Sequence, residues 1–364
     1  MPGFMPSSMR SFMAGLAPSS FVPPRSVPAG GASSRWPRAL ALAAGLVLVA
    51  GCQGAPDGPR DETGEAAPGL AQNPAHQAPD PLTEPQVISL LGEELYAIED
   101  TTGAIAAADS VLAEAPDDVE LLIDAGRVRR NFWQYRQAMA LYTRAIELSP
   151  DDWRPYRFRG HRHISLREFD RAIDDLEAAR DRAPLNWDVS YHLGLAYFLA
   201  GRFGDAADEY LRCFALEDDP EARAAASDSF RSCSANADDL ESRVAMTEWT
   251  VRALTRAGRH DEAEAQRDWV EPGLPIETNV AYYQNLLMDV GAVTADDLLN
   301  PGPDAPYRLE TVGYGVANRM LVAGDTAGAR EVLERLMEDP WWPGFGRISA
   351  EAELHRMGQA SSGG

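Results

Sequence analysis

From about residue 83 onward, apolar and small residues recur in blocks with a fixed internal order, and each block reads as two short helices joined by a tight turn. Pro116, Pro150 and Pro184 are 34 residues apart, and alignment on them gives blocks 85–118, 119–152, 153–186 and 187–220. The eighth place is glycine in all four (Gly92, Gly126, Gly160, Gly194). The twentieth is alanine in all four (Ala104, Ala138, Ala172, Ala206). Beyond Pro220 the period breaks, but Gly258 precedes Ala263 and Gly324 precedes Ala329 by five residues, as Gly201 precedes Ala206. The pattern predicts further helices at about 222–234, 239–257, 261–269, 276–290, 310–323 and 326–338. Residues 300–306, Asn-Pro-Gly-Pro-Asp-Ala-Pro, form a loop that cannot be helical.

The glycine and alanine positions resemble those of the tetratricopeptide repeat, in which two antiparallel helices touch where side chains are smallest. The clearest unit is Gly194-Leu-Ala-Tyr197 through Gly201 and Ala206 to Tyr210, and Leu122, Tyr142, Tyr156, Leu176 and Leu193 hold other apolar positions of the pattern. Arg129, Arg159 and His163 depart from it, standing where Leu or Tyr is usual. The resemblance implies an all-α chain, a right-handed superhelical solenoid of helix-turn-helix repeats over 83–220, with a degenerate, irregular helical region and cap over 221–358. Residues 359–364 read as a flexible tail. Trp341-Trp342 followed by the amphipathic stretch to Leu354 is either a cap anchored by its indoles or a Trp-lined partner pocket.

The resemblance further implies a concave face built from the first helix of each repeat, on which a protein or peptide binds. Its exposed places are the second, fifth, ninth and twelfth of each block, spaced to lie on one side. They are Glu120, Ile123, Arg127 and Arg130, then Arg154, Arg157, His161 and Ile164, then Asp188, Tyr191, Leu195 and Phe198. Arg127, Arg130, Arg154, Arg157 and His161 thus form a cationic centre beside a shelf of Tyr191, Leu195 and Phe198. Guanidinium forks bind carboxylate or phosphate at two points, so an acidic partner fits. Equally, these arginines can pair with the chain's own carboxylates as solvated surface. The Lys and Asn of the family's carboxylate-clamp subgroup are missing here.

Near the N-terminus, Arg35 and Arg38 precede an apolar run from Ala39 that ends in Val49-Ala50-Gly51-Cys52. The run is too short to cross a bilayer. It resembles the lipobox of bacterial lipoproteins, which implies cleavage before Cys52 and a diacylglyceryl thioether on its sulfur. Residues 1–51 then form the leader. Residues 52–82, rich in Gly, Pro, Ala, Gln and acid, read as a disordered tether. The whole is similar to bacterial tetratricopeptide lipoproteins, and Tyr156–His163, Tyr191–Gly194 and Gly313–Asn318 resemble blocks of uncharacterised proteins of that kind. Gln53 after the cysteine points by the same resemblance to the outer membrane, facing the periplasm.

Charge narrows the partners. The chain carries 56 acidic against 33 basic residues, a net charge of −23, and every basic residue is Arg. A strongly acidic chain lacks the basic footprint that nucleic acid needs. With Cys52 lipidated, Cys213 and Cys233 are left as either a disulfide or two buried thiols. His161 and His163 stand two apart on a helix, so their side chains diverge and do not chelate one metal. There is no Lys for a phosphate-binding loop, no His-Glu-x-x-His and no serine elbow. These absences point to no enzyme, metal or cofactor, and the chain reads as a lipid-anchored envelope scaffold. The alternative is a binder of an anionic small molecule or glycan in the Arg/His groove, with or without a catalytic role.

Overall fold

The computed structural model describes residues 73–225, 231–302 and 305–362, so Cys52, the leader and the tether as far as residue 72 lie outside the described residues. A 3-10 turn at Pro74–Gln77 is followed by a hairpin of β1 (Val87–Ile88) and β2 (Glu94–Leu95). Seven helices follow: α1 (Ala104–Glu114), α2 (Val119–Arg130), α3 (Tyr135–Leu148), α4 (Trp153–Ser165), α5 (Phe169–Arg182), α6 (Trp187–Leu199) and α7 (Phe203–Ala215). Short α8 (Pro220–Ala225) leads to α9 (Leu240–Arg256), α10 (His260–Arg267), α11 (Val280–Asp289) and α12 (Ala295–Leu299). The chain ends with α13 (Leu309–Val322), α14 (Thr326–Leu336) and α15 (Phe345–Ser362). The result is an all-α solenoid.

The repeat is written into the backbone as well as the core. Asp118, Asp152 and Asn186, again 34 apart, cap α2, α4 and α6 through their side-chain oxygens. At each turn between paired helices one residue adopts a left-handed backbone: Trp133 (φ 59°), Arg167 (φ 62°), Gly201 (φ 80°), Gly258 (φ 75°) and Gly324 (φ 84°). The next amide closes the turn onto a carbonyl five residues back, as in Gln134 to Arg129, Glu168 to His163, Arg202 to Tyr197, Arg259 to Leu254 and Asp325 to Met320. Five helix pairs therefore share one turn, although the 34-residue spacing survives in only three.

Each pair closes where its glycine sits. A Cβ on Gly126 would meet the Tyr142 ring at 2.4 Å, one on Gly160 would meet Leu176 Cγ at 2.7 Å, and one on Gly194 would meet the Tyr210 ring at 2.4 Å. Each partner lies sixteen residues on, and Ala138, Ala172 and Ala206 are fully buried beside them. Gly313 meets Leu336 in the same way, which identifies the Gly-Tyr-Gly stretch of α13 as a packing feature.

The first block departs from expectation. Residues 85–101 form the hairpin and a loop, not a first helix; Gly92 (φ 87°) turns the hairpin, its amide bonded to the Ser89 carbonyl, and no neighbour crowds it. A tertiary partner imposes this: Leu90 N–H donates to Glu351 Oε1, and Glu93 pairs with Arg347 at 2.6 Å, both on α15. The expected tether also ends earlier. Asn73 bonds Asp109 at 2.9 Å, Ala75 is buried, and Gln137 Nε2 donates to the Pro79 carbonyl. Of the helix expected at 222–234, residues 222–225 are helical, residues 226–230 lie outside the described residues, and residues 231–232 run extended against the start of α6 before a 3-10 turn from Cys233 to Asp238; there Trp187 N–H donates to the Arg231 carbonyl and Cys233 N–H to the Leu185 carbonyl. A disulfide from Cys213 to Cys233, with Cα atoms 5.1 Å apart, fixes that segment to α7. At the other end α15 continues to Ser362, where a flexible tail was expected.

Helices α9, α11 and α13 supply aromatic residues that cover the first-helix face of α6. Trp249 Nε1 donates to Tyr191 Oη at 3.0 Å, Tyr191 Oη donates to Tyr282 Oη at 3.2 Å, and Phe198 meets Trp249 and Tyr314 edge-on at 5.3 and 6.2 Å. The segment leading into α15 then runs along the turns of the preceding pairs. Trp342 packs on Trp133 and Tyr135 and donates to the Tyr96 carbonyl, so the indole pair anchors a cap. Glu351 meets Arg167 at 2.7 Å, with both side chains buried, and Arg356 reaches the Leu199 carbonyl.

Replacing Gly160 by Leu should cost about 3 kcal/mol or more in denaturant unfolding, since the added atoms meet Leu176 and the Ala172 carbonyl with no space to relax. Gly204→Ala, at an exposed helical glycine with open space around it, should leave stability equal or raise it by about 0.5–1 kcal/mol.

Candidate partner-binding face

With α6 covered, what remains open of the first-helix face lies on α2 and α4. Tyr191 is 6% exposed and Leu195 and Phe198 are fully buried, so the aromatic shelf expected from the sequence is core. The correction has a plain cause: the repeat rules place these residues on the inner face, and the C-terminal helices fill that face.

The arginines divide into two kinds. Arg154 is held by Glu120 (2.5 and 2.9 Å) and Asp152, Arg157 donates to Asp188 at 2.6 Å and touches His192 at 3.3 Å, and Arg127 pairs with Asp124 at 3.0 Å. These three follow the self-pairing reading. Among the described residues Arg130 and Arg162 have no carboxylate partner. Arg162, only 5% exposed, lies over the Tyr135 ring at 4.6 Å, and Arg130 Nε meets no hydrogen-bond acceptor. Tyr142 Oη and His161 Nδ1 are likewise buried without a protein partner. Arg127 and Arg157 stand 6.0 and 5.0 Å from the ring centre of Phe158, which stacks on Tyr142.

The electrostatics follow from this geometry. Burial, then the neighbouring Arg130 and Arg157, pushes Arg162 down to about 10. Arg130 is lowered too, by burial and then by Arg157 and Arg127. Four guanidiniums therefore repel one another on one small surface of a chain with net charge −23. Holding unpaired cations half out of water costs stability unless an anion joins them. Burial also carries His192 down to about 3, with Arg157 adding to the shift, and His161 well below its ordinary value. His192 donates from Nδ1 to the Asp188 carbonyl at 2.7 Å, which fixes the neutral tautomer.

The inner-place rule did not select Arg162, Tyr135 or Tyr142. A signal for Arg162 exists, however: α4 reads Trp-Arg-Pro-Tyr-Arg-Phe-Arg-Gly-His-Arg-His-Ile-Ser, with four arginines and no acid. Of these, Arg159 turns outward to Asp175 at 2.7 Å, where His163 also sits through Glu168 and Asp175. Among the described residues no cluster of His, Cys, Asp and Glu is arranged to hold a metal, and no helix is long and apolar enough to cross a membrane.

Stacked helix-turn-helix pairs with small residues at the crossing define a class of interaction scaffold. Residues 159–222 match the tetratricopeptide repeat family model, and the chain carries tetratricopeptide repeats. The small glutamine-rich tetratricopeptide repeat-containing protein 2 of Saccharomyces cerevisiae is 31% identical over 90 residues, 25% of this chain and 26% of that protein. The chain thus spans about a quarter of that curated relative's length. Among solved structures, MamA is 21% identical, with 45% of this chain and 82% of that one covered and a TM-score of 0.36. YrrB, described as a tetratricopeptide protein with an unusual peptide-binding site, is 17% identical, with 69% and 100% covered and a TM-score of 0.37.

Two outcomes test the electrostatic picture. Arg162→Met should leave stability unchanged or raise it by about 1 kcal/mol, while Arg129→Met, which removes the buried Nη2 contacts to both Asp109 oxygens at 2.6 and 2.7 Å and leaves that carboxylate only Asn73 and His76, should cost about 3 kcal/mol. Because His192 stays neutral in the fold down to about pH 3 but takes a proton in the unfolded chain near its ordinary value, stability should fall as pH drops from about 6.5. His192→Gln should flatten that fall in urea titrations at pH 7, 6, 5 and 4.

Proposed function

We propose that the protein is a lipid-anchored envelope scaffold whose α2–α4 face captures an acidic segment of a partner protein. One observation carries this reading: Arg130 and Arg162 are desolvated and have no carboxylate partner among the described residues, in a chain with 56 acidic residues. A peptide carboxylate would take two-point hydrogen bonds from such guanidiniums, and Phe158 would supply a ring for its apolar neighbours. Arg154 and Arg157, already engaged, would keep the rim in register. The lipobox-like stretch ending at Cys52 supports the anchor, and the Cys213–Cys233 disulfide supports an oxidising compartment such as the periplasm.

Photo-cross-linking in the native envelope tests the reading, with the reactive side chain placed at Phe158 or at Leu195. Partner capture is expected at 158 and not at 195, weakening with salt and falling at least tenfold in Arg130→Gln/Arg162→Gln. Equal capture of the same partners by that variant would remove the arginine face from the account. Cys52→Ala should release the protein from the membrane fraction, and an intact mass without acyl chains in the wild type would remove the anchor.

A further inference from the structure

A cavity of about 280 Å³ lies between α9, α10, α11 and α13, remote in sequence from the arginine face. Its inner wall holds Glu248, Arg252 and Asn285, which are 2%, 3% and 1% exposed. Glu248 and Arg252, one turn apart on α9, form an ion pair. With its carboxamide oxygen and nitrogen exchanged, the orientation that satisfies both, Asn285 accepts from Arg252 Nη2 at 2.9 Å and donates to the Val312 carbonyl at 3.0 Å. Gly315 makes this possible, since a Cβ there would meet Asn285 Cγ at 2.3 Å. Even so, Arg252 Nη1 and Glu248 Oε2 meet no hydrogen-bond partner in the protein. A buried donor and a buried acceptor are thus left without a partner on two residues that line a cavity large enough for a small molecule. The lining also carries Asp261, Glu264, Asp289, Arg267 and Arg319, of which Asp289 and Arg319 pair at 3.5 Å.

We propose that this cavity binds a small zwitterion on the scale of a free amino acid, its carboxylate on Arg252 and its ammonium on Glu248. A ligand carrying one charge would satisfy one orphan and repel the other, and an apolar one would satisfy neither. Adjacent carboxylate and ammonium groups answer both. Burial, with Asp289 adding to it, pushes the Glu248 carboxyl up to about 8 against the pull of Arg252 and Asn285, and a bound ammonium would favour its charged form. A void of this size exceeds what a single bridging water fills, roughly 10–15 Å³. The site does not depend on the peptide-binding reading, and each can fail without the other.

The test is calorimetric titration of the full chain with glycine, L-alanine, L-glutamate and L-arginine, with acetate and methylamine as single-charge probes. At least one amino acid should bind in the millimolar range or tighter and raise the melting temperature, and neither single-charge probe should. Val322→Trp, at a 37% exposed residue of the cavity wall, should stay folded and weaken that binding at least tenfold by filling the space. Arg252→Met should also abolish it, with helicity checked by circular dichroism. Absence of binding by every amino acid would show a hydrated void and overturn the proposal, as would acetate binding as tightly as the best amino acid or an affinity indifferent to Val322→Trp.

Discussion

The contact of α6 with α9, α11 and α13 decides what the rest of the molecule can do. A repeat solenoid ordinarily leaves its first helices exposed along one side, because each pair needs only its neighbours for a core. Here Tyr191, Leu195 and Phe198 are consumed by Trp249, Tyr282 and Tyr314. Burying several aromatic side chains at one seam, each worth about 1.5–3 kcal/mol, ties the regular repeats to the irregular helices as one cooperative body. The open part of the first-helix face is shortened by the same stroke, to α2 and α4.

The turns show how the C-terminal segment is held. A left-handed backbone costs about 1–3 kcal/mol for a residue with a side chain, and glycine fills that place in three of the five pairs. Trp133 and Arg167 are the exceptions, and both spend their side chains on the final segment, Trp133 against Trp341 and Trp342, Arg167 against Glu351. Strain at two turns is thereby offset by docking contacts. The same segment reaches the β-hairpin through Arg347 and Glu351, linking residues more than 250 positions apart.

Much of this was legible from local pattern. The glycine and alanine places predict the helix crossings because small size is a requirement at contact distance, and Gly258 and Gly324 predict later pairs because the turn needs a left-handed residue whatever the period. The hairpin at 85–101 was not legible: Gly92 falls on the repeat register, yet its conformation is set by α15, which no local window contains. The shelf on α6 was misplaced for the same reason, since repeat rules describe a helix with nothing laid over it. Among the arginines, spacing found Arg130 but passed over Arg162, and the acid-free composition of α4 was the better guide. Whether a guanidinium is paired depends on carboxylates as distant as Glu120 from Arg154, or Asp188 from Arg157, which spacing alone does not rank.

The seam at α6 is tested most directly by Phe198→Ala, with global stability measured by denaturant unfolding. A fully buried phenylalanine packed on Trp249 and Tyr314 should cost about 3–5 kcal/mol, with loss of the α9–α13 region in the same transition. A cost below about 1 kcal/mol, with those helices still folded, is what an exposed α6 face would give, and it would contradict the account.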